Sequence, residues 1–121
     1  MKKIAIIDDE TSILDVLKRF LSRRNIFEID TFENPLIAFD SIEKKNYDLI
    51  LCDIMMPQLN GIELIKKIKK IKPNQKIIMI TAFSTEDKMI ECDTIGVDDY
   101  LTKPFISMRD VENKVLDVIE L

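Results

Sequence analysis

Short, uninterrupted apolar runs recur along the chain and constrain its fold more than any other feature. The clearest runs, Lys3–Ile7, Leu49–Cys52 and Ile77–Ile80, are each bounded by polar or turn residues. Strands that are covered on both faces show this pattern, because neither face of such a strand meets water. Two weaker strand candidates lie at Ile26–Phe32 and Asp99–Thr102. The runs therefore predict a buried, parallel sheet.

Segments with apolar residues at helical spacing alternate with these strands. Two helices fit at Pro35–Lys44, where Asn34 precedes the first residue as a cap, and at Thr85–Ile95, where Gly96 follows as a terminator. The other three helices are indicated by Ile13, Leu17, Phe20 and Leu21, then by Ile62, Ile65 and Ile68, and finally by Val111, Val115, Val118 and Ile119.

Five strand–helix units in succession define the fold class. Strands that alternate with helices imply right-handed crossovers, and hence an open parallel sheet of the α/β class with helices on both faces. The chain has 121 residues, of which 46% are hydrophobic, enough to fill one core. We therefore expect a single domain over residues 1–121.

Charge and hydropathy limit the partners and the cell compartment that we expect for the protein. The net charge is −4, so no global basic field draws the chain to nucleic acid. Lys2 and Lys3 resemble the start of a signal peptide, but Asp8, Asp9 and Glu10 interrupt the apolar run that follows. No run approaches the roughly 18 apolar residues of a membrane span. We expect a cytoplasmic protein that contacts neither nucleic acid nor membrane directly.

The cysteine and histidine content excludes several chemistries. Cys52 and Cys92 lie far apart without the spacing of a zinc site or redox dithiol, and the chain has no histidine. We interpret both cysteines as small buried hydrophobes. Catalysis by a Ser/His or Cys/His pair and a phosphohistidine on this chain are excluded. Any histidine chemistry must come from a partner.

Polar residues with a shared chemistry follow the predicted strands. Asp8 and Asp9, then Asp53, Thr81 and Lys103 stand at strand carboxyl ends, the edge at which open parallel sheets bind ligands. Carboxylate oxygens suit Mg²⁺, while a hydroxyl and an ammonium suit phosphate oxygens. The pattern indicates a site for a divalent cation and a phosphoryl group.

Helix capping is the alternative explanation for a single aspartate after a strand. Asp9, for example, could cap the helix that is entered at Thr11. Three carboxylates and a lysine on one edge are harder to explain in this way. At about 4 Å and an effective dielectric constant near 20, each carboxylate pair repels by roughly 4 kcal/mol before screening. We expect a cation to compensate for that repulsion.

Four separated motifs together resemble response-regulator receiver domains of bacterial two-component systems. They are DDE (Asp8–Glu10), LILCDIMMPQLNG (Leu49–Gly61), TAF (Thr81–Phe83) and DDYLTKPF (Asp98–Phe105). The resemblance covers essentially the whole chain. It implies a flavodoxin-like (βα)5 fold with five parallel strands in the order 2-1-3-4-5.

The resemblance also implies roles for the acidic residues. Asp53 would accept a phosphoryl group from a sensor histidine kinase or a histidine phosphotransfer protein, with Mg²⁺ or Mn²⁺ as cofactor. Asp9, Asp53 and the backbone carbonyl of Met55 would bind the metal directly, and Asp8 would hold a metal-bound water.

The remaining implied roles concern the phosphoryl group and a switch. Lys103 would pair with Asp53 and then with a phosphoryl oxygen, and the Lys103–Pro104 bond resembles the family's cis peptide. Thr81 would hydrogen-bond the phosphoryl group. Tyr100 matches an aromatic residue that swings inward when Thr81 moves, although a half-buried strand aromatic also explains it. Gly61 matches the glycine that opens the third helix.

Three further expectations concern the surroundings of this site. Bulky Met55 and Phe83 stand where the family varies, and we hypothesise that they hinder water and prolong the phosphorylated state. Glu91–Thr94 replaces a stretch that is typically rich in alanine, and Asp and Thr form helices poorly, so we expect a marginal fourth helix. The lysines of the third helix are interpreted as a solvated face; they are Lys66, Lys67, Lys69, Lys70 and Lys72.

The favoured function is a signalling module rather than a conventional enzyme. Its phosphorylation would change the face formed by the fourth helix, fifth strand and fifth helix, and so control a downstream effector domain or protein. A pseudo-receiver that binds proteins without phosphorylation is the main alternative. A phosphatase or nucleotide binder is disfavoured, because a DxD pair after the first strand is absent and Gly61 and Gly96 are the only glycines. A stand-alone regulator, an excised receiver and dimerisation on phosphorylation all remain open.

Overall fold

Strands and helices alternate strictly along the chain. The computed structural model describes residues 1–82 and 86–120. The elements are β1 (Lys2–Ile7), α1 (Thr11–Ser22), β2 (Phe27–Phe32), α2 (Pro35–Lys44), β3 (Leu49–Asp53), α3 (Gly61–Ile71), β4 (Ile77–Thr81), α4 (Glu86–Ile95), β5 (Asp99–Thr102) and α5 (Met108–Glu120).

The five strands form one parallel sheet in the order β2-β1-β3-β4-β5. The register aligns Ile7 with both Phe32 and Cys52, and it aligns Asp53 with Ile80. The predicted fold class and strand order are therefore confirmed. Every residue of β3 and β4 is buried, in agreement with their uninterrupted apolar sequences.

Two apolar layers cover the faces of the sheet. Because successive strand residues point to opposite faces, each central strand contributes to both layers. One layer joins alternate residues of the central strands to α1 and α5, and the other joins the intervening residues to α2 and α3 and to Cys92 of α4. Cys52 and Cys92 are both fully buried in this second layer, as predicted.

The helix termini agree with the sequence at two positions and differ at a third. Asn34 Oδ1 accepts the backbone N–H of Leu36 at 2.8 Å, and Gly96 follows α4 with a φ of 103°. The suggested cap at Asp9 is wrong. Glu10 occupies the N-cap position of α1 and makes no side-chain cap bond, so Asp9 lies one residue before the position from which it could cap the helix. Thr85, the predicted start of the fourth helix, lies outside the described residues.

The lysines of α3 are only partly a solvated face. Lys66, Lys67 and Lys70 are exposed. Lys69 instead donates to the Gln75 carbonyl at 2.7 Å, and Lys72, the C-cap residue of α3, donates to the carbonyls of Ile42 and Lys45 at the C-terminal end of α2. Helix ends leave carbonyls without backbone donors, and an ammonium on a long side chain can reach them. The prediction was therefore wrong for Lys69 and Lys72.

None of the helices that the structure describes is both long and apolar enough to cross a membrane. The cytoplasmic location stays a prediction.

Candidate functional site

Three carboxylates meet at the carboxyl edge of the sheet. One oxygen each from Asp8, Asp9 and Asp53 lies within 4.8 Å of the other two. The neighbouring strands β1 and β3 bring them together, because parallel strands end at the same edge. Asp8 and Asp53 are buried, whereas Asp9 is exposed. The predicted cluster is therefore present in the structure.

Backbone hydrogen bonds fix the two buried carboxylates. Asp8 Oδ1 accepts the N–H of Glu10 at 2.9 Å, and the Asp8 N–H donates to the Phe32 carbonyl at 3.1 Å. Asp53 Oδ1 accepts the Met55 N–H at a longer 3.4 Å. Asp8 is thus held more firmly than Asp53 by the surrounding backbone.

Gly61 permits the loop between β3 and α3 to return to the site. Its N–H donates to the Ile54 carbonyl at 2.8 Å. A Cβ at this position would lie 1.9 Å from the Asp53 carbonyl oxygen, far inside any allowed contact. The start of α3 therefore packs against the backbone of Asp53 only because residue 61 has no side chain.

Lys103 brings a positive charge to the cluster from the end of β5. Its Nζ lies 2.8 Å from Glu10 Oε1, 2.9 Å from Asp8 Oδ2 and 3.5 Å from Asp53 Oδ2. The Lys103 N–H donates to the Thr81 carbonyl at 2.8 Å, and the Lys103–Pro104 peptide is cis, as the resemblance implied. Sequence reasoning missed the pairing with Glu10, whose only signal was its place in the DDE motif.

Burial and neighbouring charges shift the pKa values of Asp53 and Lys103. Burial, and then the charge of Asp8, raise the pKa of Asp53 to about 7, although Lys103 and the Met55 N–H act in the opposite direction. Burial alone would lower the pKa of Lys103, but the adjoining carboxylates of Glu10, Asp8 and Asp53 outweigh it and raise that pKa. Asp53 is therefore a carboxylate whose charge is only partly compensated.

The donor set fits a hard divalent cation. Asp8 Oδ2 is buried, and the Lys103 ammonium lies 2.9 Å from it. Carboxylate oxygens are the ligands that Mg²⁺ prefers, and one ammonium does not balance three carboxylates. The acidic pocket can therefore hold such an ion between Asp8, Asp9 and Asp53.

Thr81 and Tyr100 lie on the strands beside the cluster. Thr81 is buried at the end of β4, paired with Thr102 of β5. The Tyr100 hydroxyl donates to Asp93 Oδ1 of α4 at 2.5 Å, a contact that the sequence had not suggested. Phe83, part of the proposed water barrier, lies outside the described residues. Met55 is half exposed, and its sulfur lies 3.1 Å from the Lys88 Nζ.

Comparison with known sequences decides the family. The model of the response regulator receiver domain family matches residues 4–116. The chain belongs to this family. The receiver-domain resemblance drawn from the four motifs is therefore confirmed, and with it the assignment to two-component response regulators.

Individual relatives of this receiver domain agree in sequence and in fold. The nisin biosynthesis regulatory protein NisR of Lactococcus lactis is 40% identical over 113 residues, which make up 93% of this chain and 48% of NisR. The chain spans about half the length of the curated relatives it matches.

Two solved structures illustrate the similarity in fold. A CheY-like receiver domain protein from Methanospirillum hungatei has a TM-score of 0.92 and 31% identity, over 99% of this chain and 94% of that chain. A chain of the CheX-CheY-BeF3-Mg²⁺ complex from Borrelia burgdorferi has a TM-score of 0.88 and 26% identity, over 97% of this chain and 88% of that chain.

Proposed function

We propose that this receiver domain, residues 1–121, accepts a phosphoryl group on Asp53 and passes the signal to an effector. One observation carries the proposal: Asp53 is buried among two further aspartates and a lysine at the ligand-binding edge of the sheet. A structural role for this cluster is a poor explanation, because burial and then the charge of Asp8 raise the pKa of Asp53, so its surroundings do not stabilise its charge.

The chemistry needs a nucleophile and charge stabilisation. An Asp53 carboxylate oxygen forms a bond to the phosphorus of a donor phosphohistidine. The bond from phosphorus to the donor nitrogen breaks, and the imidazole leaves with that electron pair. Lys103 is within reach of the oxygens of the transferred group, since its Nζ lies 3.5 Å from Asp53 Oδ2. Thr81, at the adjoining strand end, donates a hydrogen bond from its hydroxyl to the same group.

A divalent cation completes the proposed site. Asp9, Asp53 and the Met55 carbonyl would hold Mg²⁺ or Mn²⁺, with Asp8 binding through a water. When bound, the ion supplies positive charge that favours the ionised form of Asp53 and offsets charge on the transferring group. The Borrelia burgdorferi complex, a CheX-CheY-BeF3-Mg²⁺ complex, supports this choice of ion.

The partners follow from the chemistry and from the relatives. The donor is a sensor histidine kinase or a histidine phosphotransfer protein, because the chain has no histidine of its own. The output is an effector domain or protein that recognises the face formed by α4, β5 and α5. A net charge of −4 disfavours direct contact of this domain with nucleic acid.

Intact-mass measurement with acetyl phosphate and Mg²⁺ tests the proposal. The wild type should gain one phosphoryl group, and Asp53→Asn should gain none. Asp117→Asn, which makes the same change at an exposed position of α5, should behave as the wild type. A wild type that gains no phosphoryl group would instead support the pseudo-receiver, and an equal gain by Asp53→Asn would place the acceptor elsewhere.

A further inference from the structure

Tyr100 is tied to α4 by its hydroxyl. In the sheet, Tyr100 of β5 pairs with Met79 of β4, so its ring shares a face with Met79 and with Thr81, two residues further on. The ring packs against the apolar layer on that face. Its hydroxyl donates to Asp93 Oδ1 at 2.5 Å, and the Met89 carbonyl lies 3.4 Å away. Tyr100 therefore connects the strand beside the site to the surface of α4.

The bond to Asp93 is strong for its position. Hydrogen bonds to an ionised acceptor are shorter and stronger than neutral ones. Burial of the phenol, followed by this bond, raises the pKa of Tyr100 well above its usual range, so the hydroxyl keeps its proton and acts as the donor. Asp93 itself is exposed and loses little solvation in accepting the bond.

The helix that carries Asp93 is shallowly buried. Of the ten residues in α4, only Cys92 is buried, and Ile95 packs partly against the same apolar layer. The ion pair from Glu91 to Lys66 of α3 joins two exposed side chains and contributes little. The hydrogen bond from Tyr100 to Asp93 therefore adds to the apolar contacts that hold this part of α4 near β5.

We propose that Asp93 is a positioning residue that holds the Tyr100 ring against α4 and so opposes phosphoryl binding at Asp53. This inference rests on the proposed function and on the receiver-domain resemblance, which implies that the Tyr100 ring moves toward Thr81 when Asp53 is modified. Such a movement breaks the bond to Asp93. A bond present in one conformation and lost in the other shifts the equilibrium toward the first. By linkage, it weakens binding of any phosphoryl group that favours the second.

Titration with beryllofluoride, a phosphoryl mimic, in the presence of Mg²⁺ tests the linkage. Asp93→Ala should bind it about five-fold more tightly than the wild type, a typical size for coupling between two sites. Asp93→Asn keeps a weaker acceptor oxygen and should lie between the two. Glu91→Gln, which removes a charge from the same helix without touching Tyr100, should leave the affinity unchanged.

Asp93→Ala in a Tyr100→Phe background separates the effect of positioning from the effect of helix propensity. Alanine favours helix more than aspartate does, and this effect acts in either background. The loss of the bond acts only when the hydroxyl is present. Asp93→Ala should therefore raise the affinity for beryllofluoride clearly less in Tyr100→Phe than in the wild type, because only the helix-propensity effect is left there. An equal gain in both backgrounds, an unchanged affinity, or weaker binding by Asp93→Ala would overturn the inference.

Tyrosine fluorescence reports the bond itself. The chain has no tryptophan and two tyrosines, so a Tyr47→Phe background leaves Tyr100 as the sole emitter. Hydrogen bonding to a carboxylate quenches phenol emission, so Asp93→Ala should brighten it. Unchanged emission would show that the bond is not formed in solution. It would overturn this inference and leave the proposed function untouched. Beryllofluoride that binds no variant, with brighter emission in Asp93→Ala, would overturn the proposed function and the linkage with it.

Discussion

At the scale of single residues, Asp53, the proposed phosphoryl acceptor, carries a cost in stability. Its pKa is raised to about 7 by burial and by the charge of Asp8, so the folded protein binds a proton that the unfolded chain releases near its ordinary value of 3.8. The contribution of Asp53 to the free energy of unfolding therefore falls as the pH rises between those two pKa values. Each pKa unit corresponds to about 1.4 kcal/mol.

Asp53→Asn should remove this pH dependence in the absence of metal. In EDTA, the free energy of unfolding of the variant should equal that of the wild type near pH 4 and exceed it by roughly 2–4 kcal/mol near pH 8. Urea unfolding across this range measures the difference. A gap that stays constant with pH, or a variant less stable than the wild type at high pH, would contradict the proposed crowding.

At the scale of elements, a buried carboxylate joins α5 to the end of α1. Glu112 is almost fully buried, and its Oε1 lies 3.1 Å from Arg23 and 3.2 Å from Arg24. Its Oε2 accepts no hydrogen bond within the described part of the chain. The carboxylate thus depends on the two arginines for nearly all its compensation, whereas they are half exposed and can be solvated.

Removing the arginines should therefore destabilise the protein more than removing the carboxylate. The double variant Arg23→Ala with Arg24→Ala leaves a buried charge without a partner, which costs about 3–5 kcal/mol. Glu112→Met keeps the volume and removes the charge, so it should cost less than about 1 kcal/mol. Chemical denaturation of both variants checks the order. Equal losses would show that packing, not charge burial, dominates this contact.

The sequence predicted some elements better than others, for physical reasons. The apolar runs of β1, β3 and β4 can be recognised in the sequence because both faces of these strands are buried. Parallel pairing then predicts that the residues at their carboxyl ends meet at one edge of the sheet. Glu10 and Asp93 gave no such signal. Both are exposed acidic residues whose partners, Lys103 and Tyr100, are distant or on another element, and only the folded arrangement brings each pair together.

At the scale of the whole molecule, the sheet order places the acidic cluster and the proposed switch residues, Thr81 and Tyr100, on adjoining strands. The carboxylates lie at the ends of β1 and β3, Thr81 ends β4, and Lys103 follows β5. A group added at Asp53 would therefore lie close to the ends of all the strands except β2. α4 lies beyond Tyr100 with a single buried side chain. The sequence predicted this topology, but not the hydroxyl bond that holds Tyr100 against α4.

The central claim is that Asp53, among the carboxylates of this edge, carries the phosphoryl group. Borohydride reduces an aspartyl phosphate to homoserine, which marks the modified residue permanently for peptide mapping. After treatment with acetyl phosphate and Mg²⁺, we predict homoserine at position 53, with aspartate retained at positions 8 and 9. Homoserine at position 8 or 9, or a phosphoryl group that resists reduction because a hydroxyl carries it, would show that Asp53 is not the acceptor.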